Sequence, residues 1–303
     1  MSPIRALLYT YNLNRMWRCS KCFRTTGISN IKDGHGSRFF CSDKESTGSV
    51  HVNLNSNTGV ATLTMNNHPV NALNTEFMQS VSEALKELQN DEVCRAVILT
   101  SGIPKIFSSG LDLNEMYQPD AEKLREFWIT FQEMWMRLYA FPKTTMAAIT
   151  GHSPAAGAVI AMSCDYRVMA ENYNIGLTVT RLGIPAPSWI AKLYVQILGW
   201  RKAEQALLEG KLFTAEEALT VGLVDQVVPL KDVIPTVEKE LEEWLKVSDT
   251  ARSFTKEQMR RNHWMRLKQT QESDIQSNVA LLSLKPVQKH IGEYISKLKS
   301  REK

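Results

Sequence analysis

Three short segments of this 303-residue chain carry residue types and spacings that could do chemistry. The first is Phe107-Ser108-Ser109-Gly110-Leu111-Asp112-Leu113, a small-residue turn in which Gly110 permits unusual backbone angles and close approach of a ligand. The second is Gly151-His152-Ser153-Pro154-Ala155-Ala156-Gly157-Ala158. Ser153 suits a helix N-cap and Pro154 the first helical position. A helix is therefore expected over 155–163, aiming unpaired N–H groups and a positive dipole end beyond the preceding strand. The chemistry such an end offers is stabilisation of a developing oxyanion by backbone donors. One conflict is built in, because the Ser153 hydroxyl could itself take the N–H of Ala155 or Ala156. His152 has no carboxylate partner visible in the sequence and reads as structural. The third segment, Ile175 to Pro185, has no strong chemistry of its own.

The elements that must position these segments follow from hydrophobic periodicity. Val50–Leu54 and Val60–Met65 predict a hairpin turning at 55–59. Phe77, Met78, Val81, Ala84, Leu85 and Leu88 then fall on one helical face. Ala96–Leu99 reads as a buried strand. Leu124, Phe127, Trp128, Phe131, Trp135 and Leu138 form a second helical stripe, expected to be core. Further strands are expected at 145–150 and 166–170. The pattern is α/β, a repeat of strand, strand and helix. Beyond Pro187 the chain reads as mostly helical. Thr214-Ala215-Glu216-Glu217 forms a capping box, and helices are expected at about 231–246, 251–262 and 274–301. The last is basic, with Lys285, Lys289, Lys297, Lys299, Arg301 and Lys303, and reads as a solvated end or a phosphate contact.

Composition sets limits on function. Hydrophobic residues are 43 % and charged residues 22 % of the chain, which excludes a disordered, collagen-like or rod-like protein. The net charge is +4. Residues 1–40 hold seven basic side chains and one acid, so the remaining body is slightly acidic and offers no nucleic-acid surface. No run of 18 apolar residues predicts a membrane span. The Arg-, Ser- and Thr-rich segment 1–40 resembles a mitochondrial transit peptide, with Arg38-Phe39-Phe40 resembling a matrix-protease site. Cys19-Ser20-Lys21-Cys22 is a lone CxxC, too few ligands for a structural zinc. Cys94 and Cys164 read as small buried hydrophobes.

Taken together, FSSGLDL, the PAAGAVIAMSCDYRV stretch, IGLTVTRLGIPAP and AEQALLEGKLFTAEEALTVGLVDQVVP resemble the crotonase (enoyl-CoA hydratase/isomerase) superfamily, in order and spacing, from about residue 48 onward. HPVNALN, GLDLNEMY and the Cys164–Arg167 tetrapeptide favour its mitochondrial delta-isomerase branch. The resemblance implies a crotonase-like ββα spiral core over 48–200, followed by a C-terminal helical trimerisation region over 201–303. It implies an acyl-CoA thioester as ligand, a homotrimer or mixed trimer, a mitochondrial matrix location, and no separate cofactor or metal.

The same resemblance assigns the segments their roles. Leu111 and Ala156 would hold the thioester oxygen through their backbone N–H groups. The coenzyme A moiety would lie against Val70, Ala72 and Leu73, with Ser109, Gly110, Asp112 and Leu113 completing the substrate surface. The glutamate that moves the proton in such isomerases falls at Val179, which carries none. The second glutamate of hydratases falls at Val159, arguing against hydration of 2-enoyl-CoA, and the peroxisomal-type glutamate falls near Pro187. Asp112, Glu115 and Glu171 are the other acids to consider. Two readings follow. One is a 3-enoyl-CoA to 2-enoyl-CoA isomerase of fatty-acid β-oxidation; the alternative is a catalytically impaired acyl-CoA-binding paralogue.

Overall fold

Val60–Asn66 shows how the chain builds its framework. Ala61, Leu63 and Met65 are fully buried and alternate with half-buried neighbours, as the period of a strand requires. The strand pairs antiparallel with Ser49–Asn55, across a turn in which the Asn55 side chain accepts the N–H groups of Asn57 and Thr58. The structure is a computed structural model and describes residues 29–32, 37–41 and 49–301.

Ala96–Ser101, Thr144–Ile149, Tyr166–Ala170 and Gln226–Val228 extend this sheet in parallel. Both faces of these strands are covered, which is why they read as unbroken apolar runs. Val97 and Leu99 face a cluster containing Phe77, Leu85, Phe127 and Trp135. Ala96 and Ile98 face the opposite way, toward Met146, Val168 and the helix Val233–Trp244.

After each long strand the chain makes a shorter strand and then a helix. Ala72–Leu73 precedes the helix Thr75–Asn90, and Lys105–Ile106 and Gly110–Leu111 precede Leu113–Met116 and Ala121–Tyr139. Gly151–Pro154 precedes Ala156–Ser163, and Asn174–Gly176 precedes the tight turn Val179–Leu182 and the helix Ser188–Leu198. The short strands find one another. Lys105–Ile106, Gly151–Pro154, Asn174–Gly176 and Phe213–Thr214 form one small sheet, and Ala72–Leu73 pairs in parallel with Gly110–Leu111. The expected strand-strand-helix repeat is what forms, and its short strands and turns bring the three chemically interesting segments alongside one another.

Local signals explain several helix ends. Asn74 accepts the Phe77 N–H at 2.8 Å, and the Thr214–Glu217 box closes in both directions. The aromatic stripe is core: Trp135 lies 4.8 Å from Tyr139 and 4.6 Å from Trp189, measured between ring centroids. Cys94 and Cys164 are buried, and burial pushes their thiols up to about 11 and about 12.

Two expectations need correction. The helices expected at 251–262 and 274–301 are divided differently: Asp249–Leu282 is continuous and Lys285–Arg301 follows. The stretch 263–273 is polar but contains no glycine or proline, and His263, Trp264 and Leu267 continue the buried stripe. The break falls instead at Ser283-Leu284, just before Pro286. The N-cap assigned to Ser153 also fails. Gly151–Pro154 is a strand, with Ser153 and Pro154 in register with Ile175 and Gly176, so the helix begins at Ala156 and Ala155 stands at its cap. The Ser153 hydroxyl is buried without a hydrogen-bond partner and competes for neither N–H.

Most of the proposed leader, residues 1–40, and the Cys19–Cys22 pair lie outside the described residues. Within it, Ser29–Lys32 pairs with Ser37–Cys41, and the latter pairs with Ser49–Asn55. Among the described residues no helix is long and apolar enough to cross a membrane.

Candidate active site

The turn carrying Gly110 is held in place from several sides. Ser109 N–H donates to the Val70 carbonyl at 3.0 Å, and Asp112 N–H to the Leu73 carbonyl at 3.1 Å. Ala72 and Leu73 stand in register with Gly110 and Leu111. In a parallel ladder the N–H groups of successive residues point to opposite sides. With Asp112 N–H aimed at Leu73, the Leu111 N–H is aimed away from that partner strand. Val70, Ala72, Leu73, Ser109, Gly110, Leu111 and Asp112 are thus neighbours. Leu113 opens the short helix Leu113–Met116, which Asp112 caps by accepting the Asn114 N–H at 2.8 Å.

The helix Ala156–Ser163 brings its first turn to the same place. Gly110 has φ +94°, and a Cβ added there would lie 2.8 Å from the Ala155 Cβ and 2.9 Å from the Ala156 nitrogen. Only glycine permits this approach. Ala156 is the first helical residue, so its N–H has no acceptor within the helix. Ala155 is held at φ +52°, and its own N–H donates to the Gly176 carbonyl at 2.8 Å. Two backbone donors, Leu111 and Ala156, therefore come from adjacent turns of the chain, one of them at the positive end of a buried helix.

Gly176 leads the third segment to this point. Three residues later, Val179 opens the tight turn Val179–Leu182 and packs half-buried against the core. Thr180 ties the turn down by donating its hydroxyl to the Leu207 carbonyl at 2.5 Å. Val159 is fully buried on the helix that begins at Ala156. Pro187 stands at the start of the helix Ser188–Leu198. Val179, Val159 and Pro187 thus present apolar side chains here.

The acids considered instead are engaged or distant. Asp112 caps its helix, and its Oδ1 also accepts from the Asn114 side chain at 3.0 Å. Glu115 accepts both the N–H and the hydroxyl of Thr75, at 3.0 and 2.5 Å. Glu171 is exposed on a surface turn, its N–H donating to the Val228 carbonyl. His152 is structural: its Nδ1 accepts the Asn174 N–H at 3.2 Å, and the ring packs edge-on to Tyr173. Among the described residues no group of three or more His, Cys, Asp or Glu is placed to hold a metal ion.

Sequence reasoning missed Asn71 and Ser108. Asn71 is fully buried with φ +49°. Its amide donates to Ser101 Oγ and the Phe107 carbonyl at 2.8 and 2.9 Å, and its Oδ1 accepts the Asn67 N–H at 2.7 Å. An Asn flanked by small and apolar residues after a proline is a known signal for a left-handed turn position, and that signal was present in His68-Pro69-Val70-Asn71.

Stacked strand-strand-helix turns define a class of fold, and the comparisons agree with it: residues 55–302 match the enoyl-CoA hydratase/isomerase family, and the chain belongs to that family. It adopts the crotonase fold with a C-terminal helical region. The delta isomerases lie within reach of its sequence. Enoyl-CoA delta isomerase 1, mitochondrial, of Mus musculus is 43% identical over 246 residues, covering 80% of this chain and 85% of that protein. The Homo sapiens protein of the same name is 40% identical over 271 residues, covering 89% and 88%. The crystal structure of human mitochondrial delta3-delta2-enoyl-CoA isomerase superposes with a TM-score of 0.83 at 40% identity, covering 84% of this chain and 99% of that one. An enoyl-CoA hydratase from Bacillus halodurans superposes with a TM-score of 0.74 at 25% identity, over 80% of this chain and 99% of that one.

Proposed function

We propose that the chain is an enoyl-CoA delta isomerase-type protein that binds 3-enoyl-CoA and promotes movement of its double bond to give 2-enoyl-CoA. One observation carries the reading: the Leu111 strand and the Ala156 helix start meet across Gly110, with the Ala156 nitrogen 2.9 Å from where a Gly110 Cβ would sit. A thioester oxygen between these donors would be stabilised as C2 loses its proton and the dienolate forms; each such donor is worth about 10²–10³ in rate. The proton then returns at C4. The coenzyme A moiety would rest along Val70, Ala72 and Leu73, and no cofactor beyond the substrate takes part.

Val179 favours a second reading for the proton-transfer half of the reaction. An isopropyl group has no titratable proton, Asp112 and Glu115 are held by hydrogen bonds and Glu171 is exposed on a surface turn, so proton transfer falls to a solvent or buffer base. The chain then serves as an acyl-CoA-binding paralogue with residual isomerase activity. The mitochondrial names of its relatives and the basic segment 1–40 support a mitochondrial matrix protein with a cleaved leader. The division into a spiral core, residues 48–200, and a helical region, 201–303, suits assembly as a homotrimer or a mixed trimer through the latter.

The test is an isomerase assay with 3-enoyl-CoA on the wild-type chain beside Val179→Glu. The expected outcome is a gain in the variant of about 10²–10⁴, the usual worth of a positioned acid–base group. Equal turnover by both proteins would mean that another group supplies the base. Failure of both to bind the thioester would sink the reading altogether.

A further inference from the structure

Ser108 bonds to Gly110 beside one donor and packs on Gly157 beside the other, and we propose that it is the positioning residue that fixes their relative placement. The proposal rests on the thioester reading above. Ser108 is fully buried and both capacities of its hydroxyl are used. Its Oγ donates to the Asn71 carbonyl at 2.8 Å and accepts the Gly110 N–H at 3.2 Å. The second of these bonds holds the Ser109–Gly110 peptide, the one that leads into the peptide carrying the Leu111 N–H.

The same residue is fastened to the other donor. A Cβ on Gly157 would lie 2.4 Å from the Ser108 carbonyl oxygen and 3.2 Å from the Ser108 Cβ. Ser108 therefore packs directly on the first turn of the helix that begins at Ala156. Its own N–H reaches the His152 carbonyl at 3.4 Å, beside the 2.9 Å bond from Phe107 to the same oxygen. Asn71, which takes the Ser108 hydroxyl on its carbonyl, is itself pinned by its amide to Ser101 and Phe107. A chain of contacts thus runs from Asn71 through Ser108 to Gly110 on one side and Gly157 on the other. Ser108 touches the residue before Leu111 by a hydrogen bond and the residue after Ala156 by packing. A buried hydroxyl requires partners, and the partners this one uses are the Asn71 carbonyl and the Ser109–Gly110 peptide.

The difference can be measured without relying on turnover. A conjugated arylacryloyl-CoA absorbs at longer wavelength as its carbonyl oxygen gains negative character, so its shift on binding reads the two donors directly. Free coenzyme A lacks the acyl carbonyl and reads the remainder of the site. Ser108→Ala removes the hydroxyl with little change of shape, and Ser108→Cys keeps a weaker donor and acceptor in its place. The expected result is that Ser108→Ala retains measurable coenzyme A binding, yet loses at least half of the spectral shift. Ser108→Cys should fall between. A full shift in Ser108→Ala overturns the proposal. If Ser108→Ala does not fold, the cysteine variant decides: coenzyme A binding with a reduced shift supports the role, and a full shift overturns it. Absence of any shift in the wild-type protein would instead count against the thioester site itself.

Discussion

Thr75 gives both its backbone N–H and its hydroxyl to the carboxylate of Glu115, at 3.0 and 2.5 Å. These residues are 40 apart in sequence, and the contact clamps the start of the helix Thr75–Asn90 onto the short helix Leu113–Met116 that follows Leu111. A carboxylate at a helix N-terminus, accepting two bonds, is a stabilising arrangement and a poor mobile base. Glu115→Ala is expected to cost about 1–3 kcal/mol, from the loss of charge-assisted bonds, measured by urea unfolding. In the Val179→Glu background, Glu115→Gln should retain isomerase turnover. Abolition of turnover there would identify Glu115 as the proton carrier and refute the clamp.

Gly110 faces Ala155 and Ala156 with no room for a methyl group. Gly110→Ala also places a side chain at φ +94°, which L-residues rarely adopt. Destabilisation on the order of 1–3 kcal/mol is expected. The arylacryloyl-CoA shift should vanish with it, because the added carbon stands beside the Ala156 nitrogen. Calorimetry and the binding spectrum together check this; a stable variant with a normal shift would contradict the geometry.

His263 is 2% exposed, and its Nε2 lies 2.8 Å from the Trp189 carbonyl. Burial lowers its pKa from the ordinary 6.5 to about 4. As pH falls from 6.5, the unfolded chain takes up this proton before the folded one does. Stability therefore declines between about pH 6.5 and pH 4, by up to about 3 kcal/mol. Urea midpoints across this range should show that decline in wild type and a flatter profile in His263→Gln. Parallel profiles would mean that other groups produce the decline.

Asp165 ties the helix Asp249–Leu282 to the large sheet. Its carboxylate meets Lys256 Nζ at 2.7 Å and Arg260 Nη2 at 2.8 Å, and accepts the Thr145 N–H at 2.8 Å. Burial alone would push this carboxyl up, but the two cations and the N–H outweigh it and hold it below the ordinary range. The stabilisation is accordingly present above the ordinary carboxylate pKa and is lost as pH falls through the lower folded value. Asp165→Asn leaves two buried cations facing an amide and is expected to cost about 3–5 kcal/mol near neutrality. The difference between wild type and variant should shrink on acidification below about pH 4. A difference independent of pH would show that packing, not charge, is what the variant loses.

How much of this was legible in the sequence depended on whether the deciding interaction is local. The Thr214–Glu217 box and the Asn55–Gly59 turn are decided within a few residues, and both formed as expected. The apolar run Ala96–Leu99 announced a buried strand for a similar reason, and Tyr166–Ala170 was expected as a further strand. Ser153 misled because its local fitness as an N-cap lost to pairing with Ile175, a partner 22 residues away. The long helix was expected as two pieces, 251–262 and 274–301, although no residue over 263–273 stops a helix. In the site, Gly110 was visible as a special residue, whereas Ser108 was not, since its importance lies in touching Asn71 and Gly157 at once.

Both candidate donors are peptide groups, and a peptide group is present whatever side chain is attached to it. Polarisation of a bound carbonyl is therefore encoded by the path of the main chain, while proton transfer stands on one side chain at one codon. Inheritance can erase the second with a single base change and leave the first untouched. A lineage that lost its glutamate would keep a receptacle for activated acyl groups, ready either to regain the old reaction by one reversal or to be recruited for holding what it no longer converts.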